Sequence, residues 1–322
     1  MNKLVRIVAA AAAGLALGFQ AMALEVDPQL PSYVKAENVS GNLNSIGSDT
    51  LNNLMTFWAE GFRALYPNVN IQIEGKGSST APAALIGGTA QLGPMSRMMK
   101  STEIDEFEKK YGFKPTPIGV ALDSLAVFVH KDNPLKSLSF EQVDAIFSST
   151  RKGGARADIV SWSEVGLEGP LAIKPMSLYG RNSASGTYAF FKEHALFGGD
   201  FKATVKEQPG SASVVMGVGN DVAGIGYSGI GYTTSDVKPI ALSKSEKDEA
   251  YEPVYENVLS GKYPLSRVLY VYIVKAPGKP LDPMVREFLT YAVSKEGQEV
   301  VIKDGYLPLP LKLVEKQLEN LK

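Results

Sequence analysis

The chain has 322 residues, with 33 basic against 34 acidic side chains, 44% hydrophobic and 21% charged residues, and a formal charge of -1. That balance excludes a disordered tail protein and a nucleic-acid binder working through a strong global positive field. Cysteine is absent, so disulfides, thiolate metal sites, thiol nucleophiles and lipid-modified cysteines are unavailable; His130 and His194, the two histidines, give little basis for a His-ligated metal or imidazole catalysis.

The first segment reads as an export signal. Lys3 and Arg6 form a positive start, Ile7 to Phe19 is an apolar run, and Ala21-Met22-Ala23 is the small-x-small pattern that a signal peptidase cuts. The run is shorter than the roughly 20 residues a spanning helix needs. Cleavage after Ala23 leaves residues 24–322, with no second apolar span just after the cut, so the expected product is free and periplasmic.

The remaining chain alternates helix-like and strand-like segments. Leu51 to Leu65 carries Leu51, Leu54, Met55, Trp58, Phe62 and Leu65 as a helical apolar stripe, ending at Tyr66-Pro67. Val69 to Ile73 alternates apolar and polar residues, as a strand does. Ile104 to Tyr111 is a short charged helix, and Ala90-Gln91-Leu92 a short strand. Leu122 to His130 and Val268 to Val274 are dense in β-branched and aromatic residues and predict buried strands. Pro283 to Val301 predicts a late helix interrupted around Gly297. An α/β class follows, and the length suits one large domain or two lobes. Gly224 to Gly229 satisfies a bare GxGxxG pattern, but Ile230 to Thr234 is not helix-like, so a strand and turn are expected there rather than a nucleotide fingerprint.

Three segments share one local design. Gly47-Ser48-Asp49-Thr50 precedes the helix from Leu51, Gly77-Ser78-Ser79-Thr80 precedes a short helix over Ala81 to Ile86, and Ser183-Ala184-Ser185-Gly186-Thr187 precedes a helix over Tyr188 to Leu196. A small-residue loop opening a helix offers unsatisfied N–H groups at the positive end of the dipole, and hydroxyls add neutral donors. One such loop is ordinary capping; three together point to a convergent oxyanion site. Arg181, just ahead of the third loop, adds a planar fork suited to two oxygens of a tetrahedral anion, although a structural salt bridge is the commoner use of an arginine. Gly93 to Arg97 places Ser96 beside Arg97 and fits either a fourth donor segment or a simple turn. Gln208 to Ser213 is another helix-opening loop, expected to support or border the site.

The motifs GSDTL, GKGSSTAP, LGPMSR and RNSASGTY, in this order and spacing, resemble the PstS family of phosphate-binding proteins of bacterial ABC importers. The resemblance runs through FVHKDNP, GIGYSG and the terminal KDGYLPLP. It implies a two-lobed α/β periplasmic binding protein of type II, with two crossover strands and dehydrated phosphate in the cleft between the lobes. It also implies donors from Thr50 and, through its backbone N–H, Leu51; from Ser78; and from Arg181, Ser185, Gly186 and Thr187. The chain departs from the family at one place. Where better-known members have Gly-Ala-Ser-Asp, it reads Gly93-Pro94-Met95-Ser96. The aspartate there accepts the proton that phosphate carries and sulfate lacks, and so rejects sulfate. Ser96 can accept a hydrogen bond without the charge; Asp123 or Asp49 is the expected substitute, with Arg97 a second cationic contact.

The expected layout is a signal over 1–23, a first lobe from 24–122 and 265–322, and a second lobe from 123–264, with crossings near Ala121 to Ala126 and Pro264 to Leu269. The expected role is capture of inorganic phosphate, by a monomer without cofactor or metal, for an inner-membrane ABC permease and its ATPase. The rivals are the same fold binding another oxyanion such as sulfate, a secreted phosphatase with a serine or threonine nucleophile, and an adhesin, for which no positive feature is present.

Overall fold

The computed structural model describes residues 24–322; the signal segment expected over 1–23 lies outside the described residues. The strands are β1 (Gly41–Gly47), β2 (Val69–Gly75), β3 (Gly93–Met95), β4 (Thr116–His130), β5 (Ser137–Ser139), β6 (Ser177–Arg181), β7 (Lys206–Gln208), β8 (Gly224–Gly229), β9 (Val237–Pro239), β10 (Ala241–Ser243) and β11 (Ser266–Ile273). The helices are α1 (Asn52–Leu65), α2 (Thr80–Gly87), α3 (Ser101–Tyr111), α4 (Phe140–Phe147), α5 (Gly186–His194), α6 (Ser211–Gly219), α7 (Tyr255–Leu259), α8 (Pro283–Val293), α9 (Lys295–Lys303) and α10 (Leu311–Leu321). None of the described helices is long and apolar enough to cross a membrane.

A mixed seven-stranded sheet runs β3-β11-β4-β8-β6-β7, with β9 also on β4. The 15 residues of β4, buried almost throughout, are its spine. From Thr116 to Ser124 this strand pairs antiparallel with β11, and from Leu125 it pairs with β8 and β9 instead. The sheet therefore changes partner at Ser124/Leu125. Near-continuous apolar character is what a strand covered on both faces requires.

Beside the first half of the sheet, α1 packs on β2, which pairs with β1 outside that sheet, and buries Leu54, Met55, Trp58, Ala59 and Phe62 on one face. Phe62 meets Phe288 of α8 edge-on, 5.4 Å between ring centres, and Trp58 Nε1 donates to the carbonyl of Gly297 in α9 at 2.9 Å. The C-terminal tail returns to the same half: Leu122 and Leu307 exchange backbone hydrogen bonds, and Gly119 N–H donates to Gln317 Oε1 of α10. Helices α2 and α3 enclose a smaller apolar cluster with Met95, Met99 and Tyr272.

Two local expectations are corrected. The late helix breaks at Ser294, not around Gly297: Ser294 ends α8 and its Oγ accepts the Gly297 N–H, so the serine caps a new helix. Gly297 sits inside α9 because a Cβ there would lie 2.1 Å from the Tyr291 carbonyl oxygen, so the close approach, not a break, requires glycine. The short strand near Ala90 to Leu92 is instead Gly93–Met95, paired with Tyr270 to Tyr272 of β11. It lies at the edge of the sheet, where Pro94 costs no ladder bond.

Candidate functional site

The three helix-opening loops converge. β1 ends at Gly47, and Asp49–Leu51 forms one 3-10 turn leading into α1. Thr50 and Leu51 are buried in that turn, whose leading N–H groups have no intrahelical acceptor. Tyr306 Oη donates to Thr50 O at 2.7 Å and Tyr232 Oη to Asp49 O at 2.8 Å, so carbonyls of the turn are held from behind. In the second loop, Gly77 takes φ +112° and donates its N–H to Gly47 O at 2.8 Å, tying the two loops together. In the third, Ser185 caps α5, its Oγ accepting the N–H groups of Thr187 and Tyr188.

The loops also touch one another. Thr50 Oγ1 and Thr187 Oγ1 lie 2.9 Å apart. Ser96 N–H donates to Ser78 Oγ at 3.0 Å, and the two hydroxyl oxygens are 3.3 Å apart. Ser79 N–H donates to Ala184 O at 3.1 Å. A Cβ on Gly186 would fall 2.3 Å from Ser78 Oγ and 2.6 Å from Ser96 Oγ. Thr50, Ser78, Ser96, Ser185, Gly186 and Thr187 thus form one buried cluster, in which 77–96 and 184–187 meet face to face.

Arg181, at the end of β6, is 1% exposed. Its Nη1 donates to Ser211 Oγ at 2.6 Å and lies 3.1 Å from Asp49 Oδ2, while Nη2 donates to Pro209 O. Burial pulls its pKa down, and Asp49 opposes that pull. Its Nε is buried with no hydrogen-bond partner. The Gln208 to Ser213 loop borders the site by orienting this arginine: besides the Ser211 and Pro209 contacts, Ser211 N–H donates to Asp49 Oδ2 at 2.8 Å. Arg97 turns to Glu103, giving Nη1 and Nη2 to the two carboxylate oxygens at 2.7 Å each, with Nη2 3.5 Å from Ser79 Oγ. Burial works against the Glu103 anion, yet the Arg97 contact and the Lys100 N–H outweigh it and hold that carboxyl below its usual range.

Asp123 is fully buried in β4, where its Oδ2 receives Nε and Nη2 of Arg267 and its Oδ1 the Ile230 N–H. Arg267 was missed at the level of sequence. A signal was there: an arginine opening an otherwise apolar strand, opposite an aspartate in another, predicts a buried pair once the two are read as neighbours. Arg181, Arg97 and Arg267 each face one carboxylate, Asp49, Glu103 and Asp123. The net local charge is then small, and what the cluster could offer an anion is oriented N–H and O–H dipoles and the buried, unpartnered Nε atoms of Arg181 and Arg97. His130 donates no contact to the cluster; its Nδ1 accepts the Asp132 N–H, and His194 packs on Phe190. Among the described residues no group of three or more His, Asp or Glu is placed to hold a metal ion.

Residues 35–296 match the PBP superfamily domain. The chain is 58% identical over 322 residues, 99% of either chain, to the phosphate-binding protein PstS of Pseudomonas aeruginosa. A protein of Clostridium perfringens assigned as a phosphate ABC transporter substrate-binding protein, solved with bound phosphate, is 25% identical, with a TM-score of 0.70 over 84% of this chain and 100% of that one. An ABC-type phosphate transport receptor of Vibrio cholerae shares the fold at 22% identity, with a TM-score of 0.63 over 83% of this chain and 100% of that one. From the family match over residues 35–296 and this identity over nearly the whole length, the chain belongs to the PBP superfamily and, within it, to the PstS family.

Proposed function

We propose that the chain is the phosphate-binding component of an ABC importer, binding inorganic phosphate without chemical change. The observation that carries this reading is the meeting of three helix-opening loops in one buried cluster, with Arg181, whose Nε has no protein partner, held on Asp49 of the first loop. In this reading Thr50, the Leu51 N–H, Ser78, Ser96, Ser185, the Gly186 N–H, Thr187 and Arg181 surround the anion. Arg97, held by Glu103, braces the second loop through Ser79. The partner switch of β4 at Ser124/Leu125 supports a first lobe of 24–122 and 265–322 and a second of 123–264. Closing the lobes excludes water and strengthens every contact to the anion. It also presents the importer with a shape the open form lacks, because the ligand favours the closed population. Residues 1–23 direct the chain to the periplasm, where it works as a monomer and delivers phosphate to the membrane permease and its ATPase.

The phosphate proton needs an acceptor in this scheme. Asp123 commits both oxygens to protein donors, whereas Asp49 commits only Oδ2 to Ser211 and Arg181, which favours Asp49. The test is calorimetry on residues 24–322, unfolded and refolded to strip carried ligand, titrated with phosphate and with sulfate. Saturable phosphate binding with no sulfate signal is expected. Asp49→Asn should narrow the preference by about tenfold, the order of one charge-assisted hydrogen bond. Equal sulfate binding by the wild type overturns the assignment of the anion, and turnover of a chromogenic phosphoester overturns binding without chemistry.

A further inference from the structure

Arg267 belongs to none of the helix-opening loops, yet its guanidinium joins two segments of the cluster, at Ser96 and Thr187, to Asp123 of β4. It stands opposite Asp123 in the β4–β11 register, so two opposite charges face each other across strands that are otherwise largely apolar. Its Nε and Nη2 donate to Asp123 Oδ2 at 2.8 and 2.7 Å, its Nη1 donates to Ser96 O at 2.9 Å, and its Nη2 also donates to Thr187 Oγ1 at 3.0 Å. The ring of Phe190 covers its flank, 5.3 Å from Cζ.

The consequence lies at Thr187. A hydroxyl has one proton and two lone pairs. Arg267 fills one lone pair of Thr187 Oγ1, and Thr50 Oγ1 lies 2.9 Å away as its other partner. If Thr187 donates to Thr50, the Thr50 proton is left over; if Thr50 donates to Thr187, both Thr187 lone pairs are filled and its own proton is left over. In either arrangement the pair keeps one O–H to give, and Arg267 occupies a lone pair through which Thr187 could otherwise accept. Donation from a guanidinium at the head of the chain polarises it in that sense. We propose that Arg267 is a positioning residue, which sets the Thr50–Thr187 pair as a donor to the bound oxyanion without touching the ligand. The proposal rests on the oxyanion-binding reading above. A lysine could not replace it, because one ammonium nitrogen cannot serve acceptors on three segments in the way a planar fork does.

The experiment is a double-mutant cycle with Arg267→Lys, Thr187→Val and the combined variant, read by phosphate calorimetry beside the wild type. Each single change should weaken binding by on the order of tenfold to a hundredfold, the range for a charge-assisted hydrogen bond. The combined variant should bind no more weakly than Thr187→Val alone within a few-fold, because the arginine acts through that hydroxyl. Losses that multiply, or an Arg267→Lys chain that binds as the wild type, overturn the proposal while leaving the phosphate reading intact. A wild-type chain that binds no phosphate overturns both. Should Arg267→Lys fail to fold, the guanidinium N–H resonances of Arg267 at saturating phosphate decide. They should coincide in the wild type and Thr187→Ser and move in Thr187→Val; one position in all three overturns the proposal.

Discussion

Arg181 is the side chain on which anion affinity should depend most directly. Its terminal nitrogens are taken by Ser211, Pro209 and Asp49, so its plane is held before any ligand arrives, while Nε remains without a protein partner. Replacing it by alanine removes a preorganised, desolvated cation and leaves Asp49 with only the Ser211 N–H on Oδ2. Arg181→Ala should weaken phosphate binding by at least about a hundredfold, the order seen when one member of a buried charged contact is cut away; calorimetry reads it. Arg181, Ser78 and the Ser185 to Thr187 loop were legible in the sequence because their chemistry is local: a hydroxyl and glycine loop opening a helix advertises its own N–H groups. Arg267 was not, because its meaning depends on a partner 144 positions away. The grip of Glu103, six positions on, on both terminal nitrogens of Arg97 was likewise not written in the local motif.

At the scale of elements, α9 ends on a carboxylate. Asp304 sits at its C-terminal cap, where the helix dipole already disfavours negative charge, with Oδ2 buried and unpartnered. Burial pushes its pKa up from 3.8 to about 7. Between those two values the folded chain holds a proton that the unfolded chain has released, so this residue's contribution to stability is full below about pH 4. It declines as pH rises towards 7 and is flat beyond. Asp304→Asn should remove that slope, so its melting temperature should fall less than that of the wild type between pH 5 and pH 8. Each kcal/mol of difference corresponds to about 2–4 °C, trimmed by solvent because Asp304 is only partly sheltered. A wild-type and variant loss of equal size would assign the slope to other groups. The elements themselves were mostly legible, since period and β-branching mark α1, β4 and β11 wherever they stand. The break at Ser294 was not, because glycine is the stronger written signal for a break. Only the neighbouring Tyr291 and Ala292 carbonyls explain why a glycine is needed inside α9.

At the scale of the molecule, the meeting of residues 77–96 with 184–187 leaves no room at Gly186. Gly186→Ala adds one carbon that would collide with both the Ser78 and Ser96 oxygens where those loops meet. The variant should fold with a ligand-free melting temperature close to wild type, yet lose phosphate affinity by at least about a hundredfold. It should also show no compaction on phosphate addition by small-angle scattering, the signature of hinge closure withheld. The hydrogen bond from Tyr306 to the Thr50 carbonyl spans 256 positions of sequence. It has a consequence for the order in which the molecule comes into being. Contacts so distant form late, after the loop between them has been closed at an entropic cost. A chain that has not yet supplied Tyr306 therefore lacks a contact that holds the first loop from behind, however well that loop is made.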